Sequence, residues 1–341
     1  MSAFWKNGLI GAFLLGFIGL LGSFNASKPR ILVLHAFDQD YSWVRTVDLG
    51  IREALKNNRR PVSVQWHYLG FNRKPHADQR EDAAIQARRA ITQIDPDILI
   101  AVDDESSAHV ARHYVGRDRP RILFVSIDQP LEQYGYRGAR NVSGIAEQLP
   151  LAAVRDALLT MRSDQSARIA VLGAHDDTGR AELAQTQAFD WTPHRLVATE
   201  VVKDFTAWQA FVERTASQAD ALLVLSYGGL ERGGDDHQVV AGAEMVNWVE
   251  TNAKPLPLGI QASYVEDGGG LSFSPPPFDY GQKAMELALA WLEAPSGAAA
   301  PPVTTSAHFR VSLRPTRLAT RGVKLPAIYV EAARIGESYF P

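Results

Sequence analysis

Short, uninterrupted apolar runs alternate with amphipathic segments from residue 31 onward, and no other feature restricts the fold of this chain so tightly. Ile31-Leu32-Val33-Leu34 is the first run; Val62 to Tyr68, Ile98 to Val102 and Ile122 to Val125 follow. A strand that is apolar on both faces must be covered on both, the condition of a parallel sheet between two layers of helix. The intervening segments supply those helices. Val44, Val47, Ile51 and Leu55 fall on one helical face, as do Ala84, Ala87, Ile91 and Ile94.

The pattern then starts again. Leu151, Val154, Leu158 and Met161 give a helical stripe, and Ile169 to Leu172 the next strand. Leu196 to Val202, Ala221 to Leu225 and Pro257 to Ile260 are further strands, with helices near 178–188, 205–217 and 239–252. Two α/β units therefore meet near Asn141-Val142-Ser143-Gly144. A long helix carrying Ala284, Leu287, Ala288, Trp291 and Leu292, an Ala/Pro/Gly/Ser linker at 294–302, short strands around 307–313 and a segment near 327–336 must pack back on those units.

At 341 residues the chain has room for two domains of ordinary size, and its formal net charge of -3 argues against a nucleic-acid binder, which normally carries a basic stripe. The absence of cysteine excludes disulfides, thiolate zinc sites, cysteine nucleophiles and a lipid-modified cysteine together. Lys6 precedes an apolar stretch from Leu9 to Phe24, so residues 1–28 read as an export signal or a retained N-terminal anchor. Either reading places the rest of the chain outside the cytoplasm, in the periplasm or an equivalent space.

Open parallel sheets bind ligands at the loops that leave the carboxyl ends of their strands. In the first unit these loops hold Tyr41 and Trp43, Asp103 and Asp104, and Asp128; in the second they hold Asp177 and Thr178, Tyr227 and Gln261. Two such edges facing one another would form a cleft for a small molecule, the acids and aromatics suiting an amine or an electron-poor ring. Each position also has a plainer role. Asp104 to Ser106 and Asp176 to Thr178 suit helix capping, and Trp43 suits the core.

Enzyme signatures are missing. Gly173 and Gly179 are one residue too far apart for a phosphate loop, and Arg180-Ala181 follows where Lys-Ser/Thr is needed. There is no His-Glu-x-x-His or Gly-x-Ser-x-Gly, and no Gly-x-Gly-x-x-Gly after the first strand. Asp235-Asp236-His237 sits beside two glycines and reads as a solvated loop rather than a metal site. No cofactor is implied, and the expected role is binding without catalysis.

Taken in order, several stretches resemble the ABC-transporter substrate-binding proteins of the type I periplasmic fold, the group that includes tryptophan and tyrosine binders. They are Ile31-Leu32-Val33-Leu34-His35 with Tyr41-x-Trp43, Pro96-Asp97 through Asp103-Asp104, Ile122 through Asp128, Asn141 through Glu147, Ile169 to Leu172 leading to Thr178-Gly179-Arg180, Asp279-Tyr280-Gly281, and Leu313 through Pro326. The His35 and Asp-Asp stretches look closest to members that serve as sensory domains of membrane histidine kinases. Ser274-Pro275-Pro276-Pro277-Phe278 departs from the usual return segment.

The resemblance implies two Rossmann-like lobes joined by a multi-strand hinge, one made of 29–146 plus 262–300 and the other of 147–261 plus 301–341. It implies closure about a ligand and delivery to an ABC permease, or signalling to a separate membrane sensor kinase. A periplasmic enzyme on the same scaffold is the third reading.

Overall fold

The computed structural model describes residues 28–341 except 75, 163, 164, 296 and 307, and, before residue 28, only 13, 14, 16, 17, 19, 20, 22 and 24. Most of the expected export signal or anchor thus lies outside the described residues. Among the described residues no helix is long and apolar enough to cross a membrane.

The chain divides into two compact units. The first comprises residues up to 125 with 131–144 and 281–303, and the second 126–130 with 145–280 and 304–341. The first unit begins with β1 (Arg30–His35), α1 (Ser42–Asn57), β2 (Ser63–Tyr68), α2 (Ala77–Ile94), β3 (Ile98–Val102) and α3 (Asp104–His109). β4 (Arg121–Ile127) and β5 (Val142–Ala146) follow. The sheet runs β13-β5-β4-β3-β1-β2, where β13 is the two-residue strand Thr304–Thr305, and the β2-β1-β3-β4 pairings are all parallel. Ile31 to Leu34 and Ile98 to Val102 have no solvent exposure, as strands covered on both faces require.

The second unit repeats the plan with α4 (Leu151–Met161), β6 (Arg168–Ala174), α5 (Asp177–Ala188), β7 (Arg195–Val202), α6 (Phe205–Thr215) and β8 (Ala221–Val224). A hairpin of β9 (Glu231–Gly233) and β10 (Asp236–Val239) forms its own two-stranded sheet. Then come α7 (Gly242–Asn252), β11 (Leu256–Gly259), α8 (Ser263–Glu266), β12 (Leu271–Ser274), α9 (Pro277–Glu293), which from Gly281 belongs to the first unit, and, back in the second, β14 (Arg310–Leu313), α10 (Pro315–Thr320) and α11 (Ala327–Ile335). The sheet runs β14-β12-β11-β8-β6-β7, parallel except for the antiparallel β12–β14 edge. Apolar side chains pack on both of its faces: Val171, Leu223, Leu258 and Phe273 on one, Leu172, Trp208, Leu222 and Val246 on the other.

The chain re-enters the first unit at Gly281, and β12 is hydrogen-bonded between β11 and β14 in the second sheet. Residues 231–239 form a hairpin, so α7 starts at Gly242 instead of 239, and Asp235 lies in the hairpin turn. Asp128 clusters with the second unit: Gln129 Nε2 donates to the Asp177 carbonyl at 2.7 Å and Ser126 Oγ donates to the Glu147 carboxylate.

Candidate functional site

In both sheets the strand order reverses beside the first strand of the unit, at β1/β3 and at β6/β8. Neighbouring strands there send their crossovers to opposite faces, which leaves a crevice at their carboxyl ends where such sheets take ligands. The loops after β1 and β3 flank the first crevice; those after β6 and β8 flank the second.

At the first crevice, the end of β1 is held by a buried polar network. Asp48, near the middle of α1, accepts from Trp66 Nε1 at 2.9 Å and from Tyr68 OH at 2.7 Å, and its Oδ1 lies 2.9 Å from His35 Nε2. Burial alone would raise the Asp48 carboxyl, but the hydrogen bonds and charge of His35, with those of Tyr68 and Trp66, outweigh it and hold the group below its ordinary value. The His35 ring, without solvent exposure, stacks on Tyr68 with centroids 5.3 Å apart. This network fixes the loop that carries Tyr41 and Trp43. Tyr41 is exposed, its ring edge-on to Phe37 at 5.3 Å; Trp43, on the first turn of α1, is half-buried.

Asp103 ends β3 at φ 72 and ψ 160, a region almost reserved for glycine. It occupies the position before α3 without a side-chain cap. Its neighbours are engaged otherwise than by capping. Asp104 accepts from Tyr134 OH at 2.5 Å, Glu105 pairs with Arg80 at 3.3 Å and His109 at 3.1 Å, and Ser106 Oγ donates to the Asp103 carbonyl at 2.9 Å. Ser126, near the end of the adjacent β4, also has positive φ, 58. Backbone held in such conformations at neighbouring strand ends is typical of functional edges.

In the second unit Asp176 does cap α5, accepting from the Gly179 N–H at 2.6 Å. Asp177 is exposed and paired with Arg180, and Thr178 is half-buried. Tyr227 is buried, with its hydroxyl donating to Asp267 at 2.7 Å and its ring edge-on to Tyr264. Gln261 is half-buried and donates through Nε2 to Glu182 Oε1 at 2.6 Å.

Glu182 is the group that loop reading overlooked. It has no solvent exposure and also accepts from the Ser226 N–H at 2.6 Å, so it ties the loops after β8 and β11 to α5. Burial, with Glu147 and Asp176 nearby, pushes its carboxyl up to about 8. The signal that could have found it is the face Gly179–Glu182–Thr186, fully turned inward although none of the three is apolar. Among the described residues no cluster of three His, Asp or Glu side chains could hold a metal ion.

These two sheets, with their paired reversals, define the type I periplasmic-binding-protein fold. Solved structures bear this out: the L-Trp complex of an ABC domain from Streptococcus pneumoniae superposes with TM-score 0.62 at 13% identity, over 90% of this chain and 98% of that one. A substrate-binding protein with adhesive properties from Clostridium difficile, in a ligand-free, open form, gives TM-score 0.64 at 14% identity, over 87% and 96%. A leucine-binding protein from Thermotoga maritima gives 0.53 at 15%, over 78% and 83%. No family model matches the sequence, and no curated protein is similar to it.

Proposed function

We propose that this chain is an extracytoplasmic solute receptor that captures a small molecule between its two loop edges by hinge closure, performs no chemistry on it, and hands it to an ABC permease. The observation that carries this reading is the duplicated strand reversal, since open parallel sheets take ligands at the strand ends beside such a reversal. The repeated passage of the chain between the units, at 125, 130, 144, 280 and 303, supports it, since several short connections can act together as a hinge. The ligand-facing groups of the proposal are Tyr41, Trp43, Asp103, Asp104, Asp128, Asp177, Thr178 and Gln261. The aromatic and acidic groups of this set favour a ligand with an amine or an electron-poor ring.

A sensor role toward a membrane kinase is favoured by the His35 to Trp43 stretch and the Asp103-Asp104 loop, which look closest to kinase sensory domains. A thermal-shift screen tests the receptor reading. A ligand at about 100 times its dissociation constant adds roughly 2.7 kcal/mol to the folded state, a shift that is easily read. Failure of amino acids, small amines, nucleobases and sugars to move the midpoint would remove the reading, and turnover of a ligand that does bind would replace it with an enzyme.

A further inference from the structure

The turns that lead into β1 to β5 lie at the edge of the first sheet opposite its ligand loops. Residues 28–30, 58–62, 95–97, 115–121 and 135–141 carry nine Lys and Arg against three Asp, in a chain whose net charge is -3. The loops leaving β1 and β3 are acidic instead, with Asp38, Asp40, Asp103, Asp104 and Glu105. The first unit is thus polarised along its strands.

Part of the basic edge has an internal explanation. Arg30 and Arg119 pair with Asp95, Arg119 also with Asp97, and cations suit the helix C-termini that end there. The outermost cations are not used up in this way. The side chains of Arg60, Arg137 and Arg140 keep 71%, 75% and 71% of their exposure, even though Glu293, Glu132 and Asp118 lie beside them. Arg59 and Arg117 are exposed as well.

The apolar stretch Leu9 to Phe24 joins the chain at this same edge. Phe24 and Lys28 line a groove with Asn58, Arg60, Leu289 and Leu292, and Lys28 Nζ lies 4.9 Å from the Phe24 ring centroid. An apolar segment slightly short for a span, joined to a surface of exposed cations, is the two-signal combination that holds a protein on an anionic bilayer.

We propose that the strand-start edge of the first unit docks on a bilayer rich in anionic phospholipid, leaving the acidic ligand loops at the far end of that unit. The apolar stretch contributes only in the chain that retains it; the basic edge acts with or without it. The test uses the full chain and two sets of vesicles, phosphatidylcholine alone and phosphatidylcholine mixed with phosphatidylglycerol, at low and high salt. Wild type should bind the mixed vesicles at least about tenfold more tightly at low salt and lose that preference at high salt. Changing Arg59, Arg60, Arg137 and Arg140 to Gln should remove most of the preference, with binding to phosphatidylcholine and the thermal midpoint unchanged. Changing Lys203, Lys254, Lys324 and Arg334 of the second unit to Gln serves as the matched control. Equal binding of wild type to both vesicles overturns the proposal, as does an equal loss in the control. Binding to phosphatidylcholine reports on the apolar stretch by itself, so failure of the anchor and failure of the basic edge are read separately.

Discussion

The side-chain amide of Gln261 donates to Glu182 Oε1 at 2.6 Å, and this one contact joins the loop after β11 to the buried face of α5. The other carboxylate oxygen takes the Ser226 N–H, so a single fully buried side chain ties two loops, those after β8 and β11, to α5. With its carboxyl raised from 4.5 to about 8, Glu182 binds a proton more tightly in the folded chain than in the unfolded one. Its contribution to stability is therefore complete below about pH 4.5 and is lost as pH rises through about 8. The thermal midpoint should fall over that window, and Glu182→Gln should flatten the fall. An unchanged slope in the variant would show that Glu182 does not titrate there.

Removing the side chain is a harsher change. Glu182→Ala leaves the Ser226 N–H without its partner inside the protein, at a cost of about 1–3 kcal/mol. Urea unfolding should register that loss, together with weaker ligand binding as the loops after β8 and β11 loosen.

The same sequence patterns that located the strands were blind to these anchors. The runs from Ile31, Ile98 and Ile169 were legible because a parallel strand covered on both faces has no polar alternation to blur it. β12 was not legible: Leu271-Ser272-Phe273-Ser274 alternates like a half-exposed strand, yet all four residues are buried, because Ser272 and Ser274 are small enough to fit inside. Asp48 and Glu182 sit in helices, where a carboxylate normally marks the solvent side, and only tertiary partners reveal them as buried. Of the loop residues, Tyr41 and Asp103 follow the ends of β1 and β3, as strand position suggests. Tyr227 follows β8 in the same way, but its ring contact with Tyr264 and its hydroxyl bond to Asp267 are not visible from loop position.

Asp48 gives the opposite pH dependence to Glu182. Its carboxyl is held below 3.8, so the stability it contributes is present above that value and is lost as pH falls through its lowered folded value. Asp48→Ala strands His35, Trp66 and Tyr68 donors in a largely buried site and should cost roughly 3 kcal/mol in chemical denaturation at neutral pH. A cost below about 0.5 kcal/mol, the range of ordinary surface changes, would mean the network is not what holds β1 to α1.

Tyr41 and Trp43 separate binding from folding. Tyr41 is exposed, so Tyr41→Ala should change stability by no more than about 0.5 kcal/mol. Trp43 is half-buried, and Trp43→Ala should leave a folded protein with a modestly lower midpoint. Both should weaken a ligand found by the thermal-shift screen, measured by calorimetric titration. Unfolding of Trp43→Ala would assign the indole to the core, and unaltered affinity in both variants would take this loop out of the site.

Asp103 offers a sharper test, because its backbone and its side chain pull in opposite directions. At φ 72 and ψ 160 an L-residue bears strain of roughly 1–3 kcal/mol, which glycine does not. Asp103→Gly exchanges that strain for the larger entropy that glycine loses on folding, roughly 1 kcal/mol at most. The variant should therefore be as stable as wild type or up to about 2 kcal/mol more stable. Asp103→Ala keeps the strain and should show no gain. If the carboxylate faces the ligand, both variants lose affinity while only the glycine variant gains stability, the exchange expected where strain is retained for function. A glycine variant that is destabilised by more than about 1 kcal/mol would show that the Asp103 side chain holds the end of β3 in place, and its role would be structural.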